Sequence, residues 1–441
     1  MNGLFDNHLD SIRDRLSDFY PYKVYGKVNQ VVGLVIEGKG PISSVGDAAL
    51  IFPVDGTEPI DAEVVGFKDG KTLLMPLGDL RGIGIGSKIM SKKQAVNTTV
   101  GESLLGRVID GLGNPMDGKG PIDCRELIPI YRDTINPMKK NRITEPLDLG
   151  IRSLNGLLTC GKGQRIGIFA GSGVGKSVLL GMIARHTEAN VNVIGLIGER
   201  GREVREFIER DLGDGIERSV VIVATSDQPP LIRVRGAFLT IAIAEYFRDQ
   251  GNDVLLLMDS LTRFGMAQRE VGLAIGEPPT TKGYTPSVFS LLTKLLERAG
   301  NGEGDGTMTG IYTVLVEGDD LDDPIADSAR SILDGHVVLS RKLADGNHYP
   351  PVDVLRSISR TMKDIVPKEQ IEYASRIIEV LSEFERAEDL INIGAYTPGS
   401  NKKIDYAISM IDKVKVFLTQ SIDEQTTIEE TFNSMKILFY V

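Results

Sequence analysis

The segment Gly163-Gln-Arg-Ile-Gly-Ile-Phe-Ala-Gly-Ser-Gly-Val-Gly-Lys-Ser177 leaves the surrounding chain few choices of fold. Ile166, Ile168 and Phe169 read as a buried parallel strand, and Val178-Leu-Leu-Gly-Met-Ile-Ala-Arg185 has the length and apolar content of the helix that follows. The glycine-rich loop between them therefore opens a helix, where free N–H groups and the positive end of the helix dipole converge. Gly171, Gly173 and Gly175 clear side chains from that backbone, so phosphate oxygens can approach it. The expected nucleotide cradle runs through Ala170, Gly171, Ser172, Gly173, Val174, Gly175, Lys176, Ser177 and Val178. Lys176 would reach the β and γ phosphates and Ser177 a magnesium ion. Ala170 stands where the usual pattern has its first glycine, and a methyl group is small enough to keep the assignment. A chance glycine-rich turn is the competing reading, and the flanking strand and helix weigh against it.

A chain of 441 residues exceeds one ordinary core and suggests about three domains. Its net charge of −11 argues against a protein that coats nucleic acid, since neutralising phosphates needs a basic surface. No apolar run approaches the length that spans a bilayer, and Met1 to Tyr20 lacks the pattern of a secretory signal. The two cysteines, Cys124 and Cys160, fit inert thiols in a reducing cytoplasm better than a disulfide. His8, His186, His336 and His348 have no ligand spacing, so no zinc site is expected.

Along the chain the texture changes three times. In residues 1–20, Phe5, Leu9, Ile12, Leu16 and Phe19 form a narrow helical seam among aspartates; packing within its own domain and docking on a partner both fit. Residues 21–90 carry short β-rich runs broken by glycine, which suggests a small closed β-barrel with a structural or ring-forming role. Residues 91–364 alternate strand and helix, with strands expected at Gln164–Phe169, Val191–Ile197, Val220–Ala224, Val254–Met258, Ile311–Val316 and His336–Leu339. That alternation implies an α/β core with a mostly parallel sheet and ligands at the carboxyl ends of its strands. Residues 365–441 read as a helical domain, with helices at Tyr373–Ile393 and Lys403–Thr419 interrupted near Tyr396.

Two further segments supply chemistry around the phosphate loop. Val254-Leu-Leu-Leu-Met-Asp259 delivers a carboxylate at the end of an apolar strand, where it would hold the magnesium shell. Val193-Ile-Gly-Leu-Ile-Gly-Glu-Arg200 brings Glu199, a candidate for orienting water and taking its proton, with Arg200 beside it as a γ-phosphate or orienting contact. By spacing alone, a surface Glu-Arg pair in a charged segment fits these two residues as well.

Ala170 to Ser177, Gly198-Glu-Arg-Gly-Arg-Glu203, Leu256-Leu-Met-Asp-Ser-Leu-Thr-Arg263 and Tyr349-Pro-Pro-Val-Asp-Val-Leu-Arg-Ser-Ile-Ser-Arg360 resemble the rotary ATP synthase catalytic subunit and its relatives. Ala267 to Ser287, including Glu277-Pro-Pro-Thr-Thr-Lys282, is similar to the type III protein export ATPases, and Gly318 to Asp327 and Ile332 to His336 strengthen that match. The likeness covers about Tyr25 to Tyr396 and is nearest to the flagellar branch. It implies a RecA-like P-loop core that hydrolyses ATP with Mg2+, in the cytoplasm at the inner face of the membrane at the flagellar base. Glu199 then matches the carboxylate that activates water, and Lys176, Arg200 and Arg263 match phosphate contacts. Tyr349 falls where the family stacks a ring on adenine, and Tyr396 is expected as a second adenine contact. Arg360 matches an arginine finger given to a neighbouring subunit, which implies a homohexameric ring.

The same resemblance implies partners: a regulatory stator-like export protein on the N-terminal helix, a central stalk-like protein, the export gate and chaperone–cargo complexes. Peripheral membrane association is expected as well, although the aspartates of the N-terminal seam oppose anionic lipid. Three alternatives differ in use of the same core: a virulence secretion ATPase, a subunit of a proton-driven synthase, and a hexameric nucleic-acid translocase, the last disfavoured by the acidic charge.

Overall fold

The computed structural model describes residues 24–92, 96–316, 318, 320 and 322–439. The helical seam expected over residues 1–20 lies outside the described residues. Two compact units divide the chain, Met1–Val96 and Asn97–Val441.

In the first unit six strands close a barrel in the order Gly26–Val32, Val35–Lys39, Lys71–Pro76, Ile60–Lys68, Ala48–Phe52, Lys88–Ser91, and the last pairs back to the first. Closure removes the unpaired edges that short antiparallel sheets otherwise leave. The β-rich segment from Val24 to Ile36 supplies two strands, because the chain reverses at Gly33 and Leu34. Val28, Ile36, Ile51, Val64, Leu74 and Ile89 fill the interior.

An eight-stranded sheet organises the second unit. Its order is Val352–Ser359, Gly335–Leu339, Arg165–Ala170, Thr307–Leu315, Asp253–Asp259, Val191–Ile197, Ser219–Ala224, Arg107–Asp110. All neighbours are parallel except the first pair, where Val352–Ser359 returns antiparallel along the edge. Val191–Ile197 and Ser219–Ala224 are buried along their whole length, as strands covered on both faces must be. The expected interior strands appear at their places, and the two end strands, Arg107–Asp110 and Val352–Ser359, are additions.

One face of the sheet, carrying Ile166, Ile168, Ile194, Leu196, Val221 and Leu255, shares a core with helix Lys176–His186 and with Ile377, Met410, Val414, Phe417 and Met435 of the C-terminal helices. Helix Pro230–Asp249 packs on the sheet as well, with Gly195 lying directly beneath Thr240. The C-terminal region contains Lys368–Asn392, Lys402–Leu418 and a third helix, Ile428–Phe439, that periodicity did not single out. Helix Lys402–Leu418 starts at Asn401, whose side chain accepts from the Lys403 N–H at 3.0 Å.

Beneath the sheet, at the end where its parallel strands begin, Arg298 and Glu245 form a two-pronged ion pair at 2.8 Å on each prong, with the Arg298 side chain 1% exposed. A third guanidinium nitrogen donates to the Ile130 carbonyl at 2.7 Å. Removing one partner of such a pair strands a buried charge. Arg132, at 3.6 Å from Glu245, is a weaker substitute. Arg298→Met is therefore expected to lower stability by about 3 kcal/mol, measured by denaturant unfolding; an unchanged midpoint would show that the pair adds nothing.

Candidate active site

The phosphate loop leaves strand Arg165–Ala170 and enters helix Lys176–His186 at Gly175. Gly173 and Gly175 have φ of 76° and 92°, a region that side chains disfavour, which is why glycine occupies both turns. No side chain caps the helix, so its first N–H groups stay available to an anion. Ala170 and Val174 are buried and shape the loop from behind. Gly171, Ser172, Gly173, Gly175, Lys176, Ser177 and Val178 line a cleft of about 970 Å3.

Two neighbouring strands end at the same place. Asp253–Asp259 brings Asp259 under the loop, where Lys176 Nζ reaches its Oδ1 at 2.5 Å and the Thr313 hydroxyl donates to the same oxygen at 2.7 Å. Val191–Ile197 leads through Gly198 to Glu199, whose Oε1 lies 3.6 Å from Lys176 Nζ. Gly198 has φ 73°, and a Cβ there would sit 2.6 Å from the Arg263 Cβ, so the strand end and the Arg263 helix can approach only through glycine.

Three charged groups thus share a nearly dry space, with side chains 11%, 12% and 6% exposed for Lys176, Glu199 and Asp259. Burial pulls the Lys176 ammonium down, but Asp259 and Glu199 outweigh it and hold the group above its ordinary value. Glu199 goes the other way: burial first, then the Asp259 charge, push its carboxyl up to about 7 against the pull of Lys176. Glu199 Oε1 is buried and has no hydrogen-bond partner. A largely buried carboxylate with an oxygen free of hydrogen bonds, tuned near neutrality and lining the cleft, is the arrangement a water-activating base requires.

Arg263 and Arg200 line the cleft too. Arg263 extends from the first turn of helix Leu261–Ile275, which Ser260 caps by accepting its N–H at 3.3 Å, and its Nε is buried without a partner. Arg200 is mostly exposed and pairs with Glu203 at 3.4 Å. The Tyr349 ring lies beside the loop, 3.6 Å from where a Cβ on Gly175 would stand, with 43% of the residue exposed.

Two expected residues lie elsewhere. Tyr396 is outside the cleft lining; its hydroxyl donates to the Asn401 carbonyl and to Asp405. Arg360 follows Ser359, which pairs with Gly335, whereas the phosphate loop follows Ala170, which pairs with Leu339. Arg360 is therefore at the opposite end of the sheet, about 17 Å away along the strand direction at the usual rise per residue. Its guanidinium is exposed, touches the Arg330 carbonyl at 3.5 Å and, among the described residues, has no carboxylate in ion-pair reach.

The structure adds residues to which motif reading gave no role in the site. Arg341 donates to the Ser172 carbonyl at 2.9 Å and so ties down the phosphate loop. It follows the carboxyl end of Gly335–Leu339, and the rule that such ends carry ligand contacts was the available signal. Lys282 lines the cleft and pairs with Asp320 at 3.3 Å, while Arg269 stands over the Tyr284 ring at 5.4 Å. Thr313, in mid-strand, had no motif around it.

Comparison with known proteins gives the family. Residues 150–359 match the ATP synthase alpha/beta family, nucleotide-binding domain, and residues 366–437 match the T3SS EscN ATPase C-terminal domain. The flagellum-specific ATP synthase of Bacillus subtilis (strain 168) is 53% identical over 425 residues, covering 95% of each chain. The chain belongs to the type III export ATPases. The assembled ATPase EscN of the enteropathogenic E. coli type III secretion system superposes with a TM-score of 0.89 at 42% identity, over 94% of this chain and 99% of that one. EscN in complex with its central stalk EscO gives a TM-score of 0.86 at 42% identity over the same shares. The fold is thus that of an ATPase of this family, with a barrel, a P-loop core and a helical C-terminal region.

The raised Glu199 carboxyl has a stability consequence for this export ATPase. Its folded value of about 7 lies above the ordinary 4.5, so the folded state holds the extra proton between those pH values. The stabilisation from that proton is complete below pH ~4.5 and is lost as pH rises through ~7. Glu199→Gln keeps the neutral form throughout, so it is expected to melt higher than wild type at pH 8 and equally at pH 4.5; a variant less stable at pH 8 would contradict the tuning.

Proposed function

We propose that this chain hydrolyses Mg-ATP at the subunit interfaces of a homohexameric ring, and that turnover promotes export of flagellar proteins. The observation that carries the chemistry is the largely buried Glu199 carboxylate, whose Oε1 accepts no hydrogen bond and lies 3.6 Å from Lys176 beneath the phosphate loop. Loop N–H groups, Lys176, Arg200 and Arg263 bind and orient the phosphates, and Glu199 takes the proton of the attacking water. Ser177 and Asp259 would hold Mg2+: both protein contacts to Asp259 fall on Oδ1, which leaves Oδ2 for a cation or its water. When bound, that ion neutralises charge on the transferring phosphoryl group. Tyr349, beside the loop, is assigned to adenine.

Arg360 supports the ring. A guanidinium with no acid partner at the far end of the sheet cannot serve its own phosphate loop, but a second copy packed head to tail can receive it. The EscN complex with EscO supports a central stalk partner for this chain, and a stator-like regulator on residues 1–20, the export gate and chaperone–cargo complexes complete the proposed assembly. No helix among the described residues is long and apolar enough to cross a membrane. The proposed location is cytoplasmic, peripheral to the inner face of the membrane at the flagellar base. Service in a virulence secretion system is the second reading, favoured by the EscN likeness; the higher identity to a flagellum-specific relative places it second.

Steady-state ATPase assays test the chemistry. Lys176→Ala and Glu199→Gln are expected to lose about 10²-fold or more, and Arg360→Ala about 10³-fold with nucleotide binding retained. Undiminished turnover in Glu199→Gln would refute the mechanism, and normal motility in a deletion strain would refute the flagellar role.

A further inference from the structure

Arg360 can act on a neighbouring site only if its backbone is held rigidly at the subunit edge, and the structure shows what holds it. Gln164, fully buried, immediately precedes the phosphate-loop strand. Its Nε2 donates to the Asp334 carbonyl at 3.0 Å and to the Ser359 hydroxyl at 3.1 Å. Its Oε1 accepts from the Thr361 hydroxyl at 2.5 Å and from the Gly161 N–H at 2.8 Å. One amide therefore grips the residues on both sides of Arg360. The Arg360 N–H itself donates at 3.0 Å to the Asp334 carbonyl that Gln164 also binds.

Asp334 is fixed in turn by the next residue of the strand. Arg165 N and Nε each donate to its Oδ2 at 3.1 Å, and the Asp334 N–H returns a bond to the Arg165 carbonyl at 2.8 Å. Side-chain amides have four hydrogen-bonding positions, and every one of Gln164's is used. Burying an amide is costly unless it is satisfied in this way. The clamp ties the start of the phosphate-loop strand to both neighbours of Arg360.

We propose that Gln164 is a positioning residue for Arg360, holding the finger that one subunit presents to the nucleotide of the next. The inference rests on the proposed role of Arg360 in trans. It also gives strand Arg165–Ala170 two tasks: its carboxyl end carries the phosphate loop of its own subunit, and its amino end anchors the arginine offered to the neighbour. A shift of the strand on nucleotide binding would reach both sites.

The test uses the full-length ring. Gln164→Met keeps the volume and removes the amide, and Thr361→Val removes one clamp bond at a half-buried position, so it reports even if the first variant folds poorly. Because a displacement of about 1 Å costs up to ~10²-fold, kcat is expected to fall by about that factor in Gln164→Met and less in Thr361→Val. The affinity for a non-hydrolysable ATP analogue should stay unchanged. In equimolar mixed rings, Gln164→Met is expected to recover turnover with Glu199→Gln, which supplies an intact Arg360, and not with Arg360→Ala. Unchanged kcat in both variants, analogue affinity that falls with kcat, or recovery with Arg360→Ala would overturn the clamp. Failure of Arg360→Ala and Glu199→Gln to recover in their own mixture would instead overturn the shared-site reading beneath it.

Discussion

Strand Arg165–Ala170 is the constraint on which the rest of the molecule depends. It is hydrogen-bonded in register on both sides, to Thr307–Leu315 over its whole length and to Gly335–Leu339 from Gly167 to Ala170. A central parallel strand paired in this way cannot slip without breaking two ladders and inverting which side chains face the core. Its length therefore fixes the separation of whatever is attached to its ends. The phosphate loop leaves one end, and the clamp around Arg360 is built on the other.

At the carboxyl end, the fold gathers charge that it would otherwise keep in water. Lys176, Asp259 and Glu199 sit together in low dielectric, where an unpaired charge is expensive. Lys176 and Asp259 satisfy one another, and Thr313 supports Asp259 from the neighbouring strand. Glu199 remains the odd member, with a raised carboxyl and an Oε1 that accepts no hydrogen bond. The strain of holding it is the physical basis of its reactivity: the same burial that destabilises its charge makes it a base near neutral pH.

Much of this was legible in the sequence because it depends on local pattern. The apolar runs at Val191–Ile197 and Val254–Met258 are long enough to need burial on both faces, and the glycines of the phosphate loop mark turns that only glycine makes readily. The barrel was visible from its turns, yet Lys88–Ser91, a short strand whose pairing with Gly26–Val32 closes it, carries no periodic signal of its own. Arg107–Asp110 and Val352–Ser359 were missed for the same reason, since edge strands are recruited by the sheet they join. Gln164 is the clearest case of information absent from the local pattern. In sequence it is one polar residue before a strand; only the fold brings Ser359, Thr361 and Asp334 to its amide.

The central claim is that each active site is completed by two copies of the chain. The most direct measurement is a structure of the assembled ring with a transition-state analogue of ATP hydrolysis bound. The account predicts the Arg360 guanidinium of one copy at about 3 Å from the analogue held by Lys176 of the adjacent copy, within hydrogen-bonding reach. A ring in which Arg360 faces solvent or its own chain, with the nucleotide site closed by other groups, would contradict it.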